Sequence, residues 1–376
     1  MMTNVPDTAC ARIRRIAVVV LLCILLAPLL ELRWRLFGWP KAISRVRRVV
    51  LNKPRLRSFH TFPAELDRYF SANYGFRGHL IAAANSLRYY VFRNTVISDV
   101  MIGRHGWLYY HSLSDGSIAR DYYRNNLFAP AELANIAKRL TARRDAVREH
   151  GAEFILLLAP DKGSVYPEHL PGDLGERPRN RSAYMQLVEY LARRTDLHVV
   201  DTRTALLRAK PHHDVPLLRV NGTHWNEVGA FVAYRALALE MKEIFPQIRP
   251  ARWSDYRVRL EPGMTRDLAE MLGVFGYNMP QEPRLQWTGR GREPERPPAW
   301  RLHRPQVLVQ NEPAPDRIPK VLVFRDSFFT ELARYCVRHC EEAHLIWARQ
   351  LDIQRVADER PDLVIQQSVE RYIRFL

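Results

Sequence analysis

A serine and a histidine stand where the sequence would place reactive groups in a parallel α/β sheet. Ser327 follows the apolar run 321–324 and precedes a helical pattern, so its hydroxyl is predicted in a strand-to-helix turn. Backbone N–H groups at such a turn can stabilise an oxyanion. His224 precedes another predicted helix, and an imidazole titrates near neutral pH, as a general base for serine must. The pair suggests nucleophilic catalysis, although sequence spacing does not show that they meet.

Each residue also has a structural interpretation. A serine after a strand is often a helix N-cap, and a single histidine is more often packed or solvated than catalytic. Asp326 is equally typical of a turn residue that bonds its own backbone. Because open parallel sheets bind ligands at the carboxyl ends of their strands, the polar clusters at 160–162, 221–225 and 325–327 are nevertheless the candidates for a site.

The elements that must position these clusters alternate along the chain. Helices are predicted at 131–149, 182–194 and 226–245, with Asn226 as a cap. Strands are predicted at 101–111 (with a turn at Gly106), 153–160, 198–203, 306–311, 320–328, 344–350 and 362–368. This order predicts an α/β fold with a parallel sheet covered on both faces. The Pro- and Arg-rich stretch 280–318 is predicted to be a surface excursion containing only the short strand at 306–311.

The N-terminal region predicts a membrane anchor. Residues 16–30 are uninterruptedly apolar, and the segment reaches the short limit for a spanning helix if extended to Leu32. A cleaved signal peptide is the alternative, but small residues at a cleavage spacing are missing. We therefore expect a cytoplasmic stub and transmembrane anchor at 1–32, a basic juxtamembrane linker at 33–57 and a globular domain at 58–376. The linker either lies along lipid headgroups or is solvated.

The distribution of charge favours a membrane partner over nucleic acid. The net charge is +17, yet residues 1–57 carry 12 Arg and Lys against 2 acids, which is +10 and leaves only +7 for the rest. Arginines after the apolar segment outnumber those before it, so a strict charge count places the C-terminal side in the cytoplasm. Large trailing domains often cross regardless of charge, so this count does not decide the orientation. Four cysteines are too few for a disulfide framework, and Cys336 and Cys340, four apart on a predicted helix, are expected to pack. No spacing indicates a zinc site.

Six segments, in order, resemble the alginate O-acetyltransferase family with its SGNH-hydrolase-like domain (AlgJ/AlgX-like, also called DHHW-type). They are FPAELDRYFSANYGFR (62–77), VMIGRHGWLYY (100–110), APDKGSVYPEHLP (159–171), NGTHWNEVGA (221–230), KVLVFRDSFF (320–329) and PDLVIQQSVER (361–371). Together they span about 310 residues, nearly all of the chain after the apolar segment. Six blocks in register are far more specific than any one of them.

The resemblance implies a three-layer α/β/α sandwich with permuted motifs, so that the histidine block precedes the serine block. It implies that Ser327 is the nucleophile and His224 the base, with Asp326 in support. Lys162 and Tyr166 match the third of these blocks, and we expect them to line the substrate cleft, with packing as the alternative for Tyr166. Arg371 matches a terminal Glu-Arg pair, where we expect a structural ion pair.

The implied reaction is acetyl transfer through acetyl-Ser327 to a hydroxyl of an exopolysaccharide, without metal or other cofactor. Arg325 would hold carboxylates if that polymer is a uronate. The family works beside a multi-spanning membrane acyltransferase, which implies a single-pass protein of the bacterial inner membrane with a periplasmic domain. A binding or assembly subunit and a carbohydrate acetyl esterase are the alternatives.

The sequence departs from the family pattern at one important position. The family has an aspartate two residues before the histidine, whereas this chain has Gly222. Such a carboxylate fixes the imidazole tautomer and stabilises the imidazolium, and its loss costs orders of magnitude in rate. Three outcomes are open: a weaker Ser–His dyad, a carboxylate from elsewhere, with Asp161 and Asp201 as candidates, or a protein kept for binding.

Overall fold

The computed structural model describes residues 7–34, 60–95, 99–111, 127–172, 181–264, 266–289 and 304–376. These residues form two compact units. The smaller contains the described residues up to Thr95 together with Ala269–Tyr277, and the larger contains the described residues from Asp99 to Leu268 together with Asn278–Leu376. The domain bounds predicted from the sequence (1–32, 33–57 and 58–376) stay predictions.

The smaller unit contains helices α1 (Asp7–Trp34), α2 (Phe62–Asn73) and α3 (Arg77–Tyr90). Gly75 lies between α2 and α3, and a Cβ there would lie 2.5 Å from the carbonyl oxygen of Pro28 in α1. Only glycine allows this approach of the two backbones. No helix in the described parts of the chain combines the length and apolarity that a membrane crossing needs. The predicted linker at 33–57 lies almost entirely outside the described residues.

The larger unit carries the remaining elements. In chain order they are β1 (Val100–Ile102), β2 (Leu108–Tyr110), α4 (Pro130–Glu149), β3 (Glu153–Ala159), α5 (Lys162–Val165), α6 (Ala183–Arg194), β4 (His198–Asp201), α7 (Thr202–Ala209), α8 (Glu227–Ile244), β5 (Tyr256–Glu261), α9 (Asp267–Leu272, whose last four residues belong to the smaller unit), β6 (Glu282–Trp287), β7 (Gln306–Gln310), β8 (Ile318–Arg325), α10 (Phe329–Cys336), β9 (Cys340–Trp347), α11 (Ile353–Glu359) and β10 (Leu363–Val369). Short 3₁₀ turns lie at Arg104–Gly106, Pro167–His169, Lys210–His212, Trp253–Asp255, Val337–His339 and Glu370–Phe375.

A six-stranded sheet in the order β4-β3-β10-β8-β9-β7 forms the centre of this unit. Five strands are parallel, as predicted, but β7 runs antiparallel to β9, so the sheet is mixed. The side chains of β7 alternate between exposed and buried. This pattern is typical of an antiparallel edge strand with one solvated face, whereas central parallel strands are apolar throughout.

Helices cover both faces of the sheet, which confirms the three-layer α/β/α architecture. On β3, Ile155 and Leu157 join one core with α8 and α10. Phe154 and Leu156 point to the opposite face and join a second core with α4 and α6. Because both faces are buried, β3 is apolar at nearly every position.

Two predictions of local structure are wrong. Residues 282–287, predicted as irregular, form β6, which pairs antiparallel with β5 in a two-stranded ribbon. A two-stranded ribbon tolerates polar residues and Pro283 because one edge of each strand needs no partner. Cys340 begins β9 instead of continuing the helix that ends at Cys336, although both cysteines are buried and free, as expected. Residues 290–303 of the predicted excursion lie outside the described residues.

Candidate active site

Ser327 lies directly after β8, in a turn that Asp326 holds in place. The Asp326 carboxylate accepts hydrogen bonds from the backbone N–H of Phe328 at 2.8 Å and of Val369 at 3.0 Å. The Asp326 N–H donates to Oε1 of Gln367 at 2.8 Å. These bonds connect the serine turn to the end of the neighbouring strand β10. Asp326 therefore has the role of a turn residue and shapes the site without contacting the histidine.

His224 lies on a narrow loop before α8. Leu218 and Trp225 form an antiparallel bridge, and the Arg219 N–H donates to the His224 carbonyl at 2.9 Å. Asn226 caps α8, as predicted, by accepting a hydrogen bond from Gly229 N at 3.0 Å. The loop is thus held at its base by backbone pairing and at its end by the helix cap.

The two reactive side chains meet. His224 Nε2 lies 2.8 Å from Ser327 Oγ. Both residues are partly exposed within otherwise buried segments, so they face accessible space at the carboxyl ends of the parallel strands. The buried Phe328 ring packs 4.8 Å from the imidazole, centroid to centroid, and restricts its rotation.

The other imidazole nitrogen faces an aspartate that sequence reasoning missed. His224 Nδ1 lies 2.9 Å from Thr223 Oγ1, which lies 2.5 Å from Oδ2 of Asp267. The direct distance from Nδ1 to Asp267 Oδ2 is 3.6 Å. The two aspartates considered from the sequence are engaged elsewhere: Asp161 pairs with Arg371, and Asp201 accepts from Thr204 and Tyr184.

The electrostatics keep the imidazole neutral. Burial lowers the pKa of His224 to about 4, against the opposing effect of Asp267. Burial raises the pKa of Asp267, but His224 and two hydrogen bonds from Thr223 outweigh it, so the net pKa lies below the ordinary value. At neutral pH the site therefore combines an unprotonated base with an ionised carboxylate. The described residues contain no group of three or more His, Cys, Asp or Glu side chains suited to a metal ion.

Lys162 and Tyr166 form hydrogen bonds with the backbone of the segment that leads to His224. Lys162 Nζ donates to the carbonyls of Leu108 at 2.6 Å and Val220 at 3.1 Å. The Tyr166 hydroxyl accepts from Leu217 N at 2.8 Å. Both side chains are almost fully buried, which is a packing role and does not fit direct contact with a polymer. Burial lowers the pKa of Lys162 to about 7 and raises that of Tyr166 to about 12.

Arg325 does not fit the predicted contact with substrate carboxylates. It is 0% exposed, and its guanidinium donates to Thr330 Oγ1 at 3.1 Å and to the Arg304 carbonyl at 3.1 Å. Arg371 forms the expected ion pair, with Nε 2.9 Å from Asp161 Oδ1. That pair joins the ends of β3 and β10 beside the serine turn.

A family model described as "SGNH hydrolase-like domain, acetyltransferase AlgX" matches residues 100–310, more than half of the chain. The chain belongs to this family. The matched range includes His224 and Asp267 and ends before Ser327, which the fold places beside them.

Known proteins resemble this chain in two ways. In sequence, the chain is 35% identical over 97 residues to a probable alginate O-acetylase AlgJ of Pseudomonas putida, which is 25% of this chain but only 24% of the relative. In structure, PatB1 of Bacillus cereus has a TM-score of 0.50 at 12% identity over 74% of this chain and 97% of its own, which shows a shared fold. The O-acetyltransferase domain of Pseudomonas putida AlgJ has a TM-score of 0.44 at 18% identity over 74% and 92%.

The expected family aspartate is the point at which this member differs. No local signal marked its counterpart, since Asp267 follows Thr265 and Arg266 at the start of a short helix and resembles an ordinary acidic residue of a first turn. Its contact with Thr223 bridges 44 positions in sequence. Only the folded chain brings the two segments together.

Proposed function

We propose that this chain is a polysaccharide O-acetyltransferase that carries the acetyl group on Ser327. The observation that carries the proposal is the 2.8 Å contact between His224 Nε2 and Ser327 Oγ, at the strand ends of an SGNH-like fold. Membership in the AlgX-type family supports acetyl transfer as the reaction. The acceptor is a hydroxyl of an exopolysaccharide of the alginate class, by analogy with the AlgJ relative.

In the first half-reaction, Nε2 of His224 takes the hydroxyl proton of Ser327 while Oγ attacks the carbonyl carbon of an acetyl ester or thioester donor. The tetrahedral oxyanion can accept from the backbone N–H of Ser327, which lies in the turn between β8 and α10. The imidazolium returns its proton to the departing oxygen or sulfur of the donor. Acetyl-Ser327 and the deacylated donor result.

In the second half-reaction, Nε2 takes the proton of a sugar hydroxyl, whose oxygen attacks the acetyl carbonyl. The bond from carbon to Ser327 Oγ breaks, and Oγ recovers the proton from the imidazolium. The acetyl ester now belongs to the polysaccharide. No group beyond the donor and the acceptor is consumed.

The two alternatives make different demands on the site. The binding-subunit alternative depended on the absence of a carboxylate at position 222. Its basis is weaker because the carboxylate of Asp267 lies 2.7 Å from where a Cβ at that position would stand. An esterase would use the same residues with water as acceptor. Transferase and esterase therefore differ only in which acceptor reaches acetyl-Ser327.

The test uses the purified full-length chain in mild detergent with p-nitrophenyl acetate as donor. We expect a burst of p-nitrophenol and a mass increase of one acetyl group on the peptide that contains Ser327. Ser327→Ala should abolish both, whereas Ser254→Ala, at an exposed serine of the same unit, should change neither. Added polysaccharide should accelerate turnover and become acetylated if the protein is a transferase. Absence of both burst and adduct in the wild type would overturn the proposal.

We further propose a single-pass location in the bacterial inner membrane, with the larger unit in the periplasm and a multi-spanning acyltransferase as donor partner. The support is the apolar sequence 16–30, which reaches the short limit for a spanning helix if extended to Leu32, and the family's work on exported polymer. A periplasm-active reporter fused after Leu376 tests the location. Activity of a cytoplasm-only reporter at that position would contradict it.

A further inference from the structure

Gly222 leaves room for the side chain of Asp267. A Cβ at position 222 would lie 2.7 Å from Oδ1 of Asp267 and 3.0 Å from Cβ of Arg266. The carboxylate of Asp267 thus lies where a side chain at 222 would begin. The absence of a side chain at 222 is what allows an aspartate from a distant segment to approach the histidine loop.

Asp267 holds Thr223 by two hydrogen bonds. Its Oδ1 accepts from the Thr223 N–H at 3.0 Å, and its Oδ2 lies 2.5 Å from Thr223 Oγ1. By contrast, Asp267 Oδ2 is 3.6 Å from Nδ1 of His224, which is too far for a direct hydrogen bond. The threonine hydroxyl lies between them, 2.9 Å from Nδ1.

The donors and acceptors leave one consistent direction for these bonds. An ionised carboxylate can only accept, so the single proton of the Thr223 hydroxyl points to Asp267. The hydroxyl then has only lone pairs for His224, and Nδ1 must carry the proton. In that tautomer Nε2 is unprotonated and can accept the proton of Ser327, 2.8 Å away.

We infer that the hydroxyl of Thr223 and the carboxylate of Asp267 together form the orienting arm of the Ser327–His224 pair, in place of an aspartate at position 222. Both are positioning residues, since neither touches the reacting atoms. When His224 takes the serine proton, the Nδ1–H bond to Thr223 and the bond from Thr223 to Asp267 stabilise the positive charge. The inference rests on the proposed function, but the tautomer it requires can be measured without turnover.

The first experiment removes the hydroxyl without changing the size of the side chain. Thr223→Val should slow the p-nitrophenol burst about 10- to 100-fold, the loss that is typical when a partner that orients a metal-bound histidine is removed. Thr223→Ser keeps a hydroxyl and should stay within about threefold of the wild type. Asp267→Asn should slow the burst at least as much as Thr223→Val does. The full-length chain is used throughout, and each variant is first checked for a wild-type melting temperature.

The second experiment reads the tautomer directly. In the protein labelled with ¹⁵N-histidine, the His224 signals, assigned by their loss in His224→Gln, should show a protonated Nδ1 and an unprotonated Nε2. Thr223→Val should reduce this preference, and Thr223→Ser should keep it.

The outcomes distinguish the inference from the proposed function. If the wild type shows no burst but has the Nδ1–H tautomer, the proposed reaction is wrong, while the role of Thr223 and Asp267 in orienting His224 is still supported. If the wild type is acetylated but Thr223→Val reacts as fast as the wild type, Thr223 and Asp267 do not orient His224. The same conclusion follows if His224 carries its proton on Nε2.

Discussion

Lys162 Nζ lies 3.1 Å from the carbonyl oxygen of Val220, and this contact joins the end of β3 to the loop that carries His224. The same nitrogen also binds the Leu108 carbonyl at 2.6 Å. A buried amine that bridges two segments fixes the height of the histidine loop above the sheet. The geometry of the Ser327–His224 pair therefore depends on a residue that contacts neither of them.

Replacement of this lysine should loosen the loop. We expect Lys162→Met to lower the free energy of unfolding by about 1–3 kcal/mol, because it leaves two buried carbonyls with fewer donors. The acylation rate of Ser327 should also fall. Lys138→Met, at an exposed position of α4, is the matched control and should change neither chemical denaturation nor acylation. Equal behaviour of the two variants would show that Lys162 does not hold the loop.

The same lysine predicts a dependence of stability on pH. Burial lowers the pKa of Lys162 from 10.5 to about 7, so between these values the unfolded chain binds a proton that the folded chain does not. Stability must then rise with pH across this window. The difference in unfolding free energy between wild type and Lys162→Met should grow from pH 7 to pH 10. A difference that is constant or shrinks would contradict a depressed pKa.

The activity should persist at unusually low pH. With the pKa of His224 lowered to about 4 by burial, the imidazole stays an effective base well below its ordinary titration range. We expect the acylation rate constant to be flat down to about pH 5 and to reach half its plateau near pH 4. Asp267→Asn should shift this midpoint further toward acid, because the carboxylate favours the imidazolium. A midpoint between pH 6 and 7 in the wild type would refute this prediction.

Because a side chain at position 222 and the carboxylate of Asp267 would compete for the same space, substitutions at the two positions should compensate each other's loss of acylation rate. Gly222→Asp alone should reduce acylation, since a side chain there collides with Oδ1 of Asp267. Asp267→Ala alone should also reduce it, by removing the carboxylate. The double variant Gly222→Asp/Asp267→Ala moves the carboxylate to the usual family position and should react faster than either single variant. Losses that simply add, in a cycle of burst-rate measurements, would mean that the two positions are independent.

The buried ion pair of Asp161 and Arg371 should contribute more than a surface pair. Their side chains are 10% and 9% exposed, so Arg371→Met leaves an unpaired buried carboxylate and should cost about 3–5 kcal/mol of unfolding free energy. Arg374→Met removes a pair with Glu132 in which the partners are 27% and 52% exposed, and should cost about 0–1 kcal/mol. Urea denaturation of both variants makes the comparison, and similar losses would count against the burial argument.

Much of the sheet could be predicted because its signals are local. The apolar run of β3 and the cap at Asn226 occur within a few neighbouring residues, so periodicity and helix-end chemistry were enough to place them. The strand β7 was also predicted, but its antiparallel direction and the ribbon of β5 and β6 were not. Their pairing partners, and so the solvation of their faces, are decided by segments elsewhere in the chain.

In the candidate site, too, the sequence predicted the features with local signals, and the tertiary structure decided the others. Ser327 and His224 stand in recognisable local settings, a strand-to-helix turn and the approach to a helix, and the ordered family blocks named them as a pair. Only the tertiary structure shows that the two side chains lie 2.8 Å apart. It also shows that Arg325 is buried away from substrate and that Asp267 lies beside Gly222. A sequence shows that an aspartate is missing from its usual position. Only packing in three dimensions decides which other carboxylate fills the space, because that depends on distances between segments that no local pattern encodes.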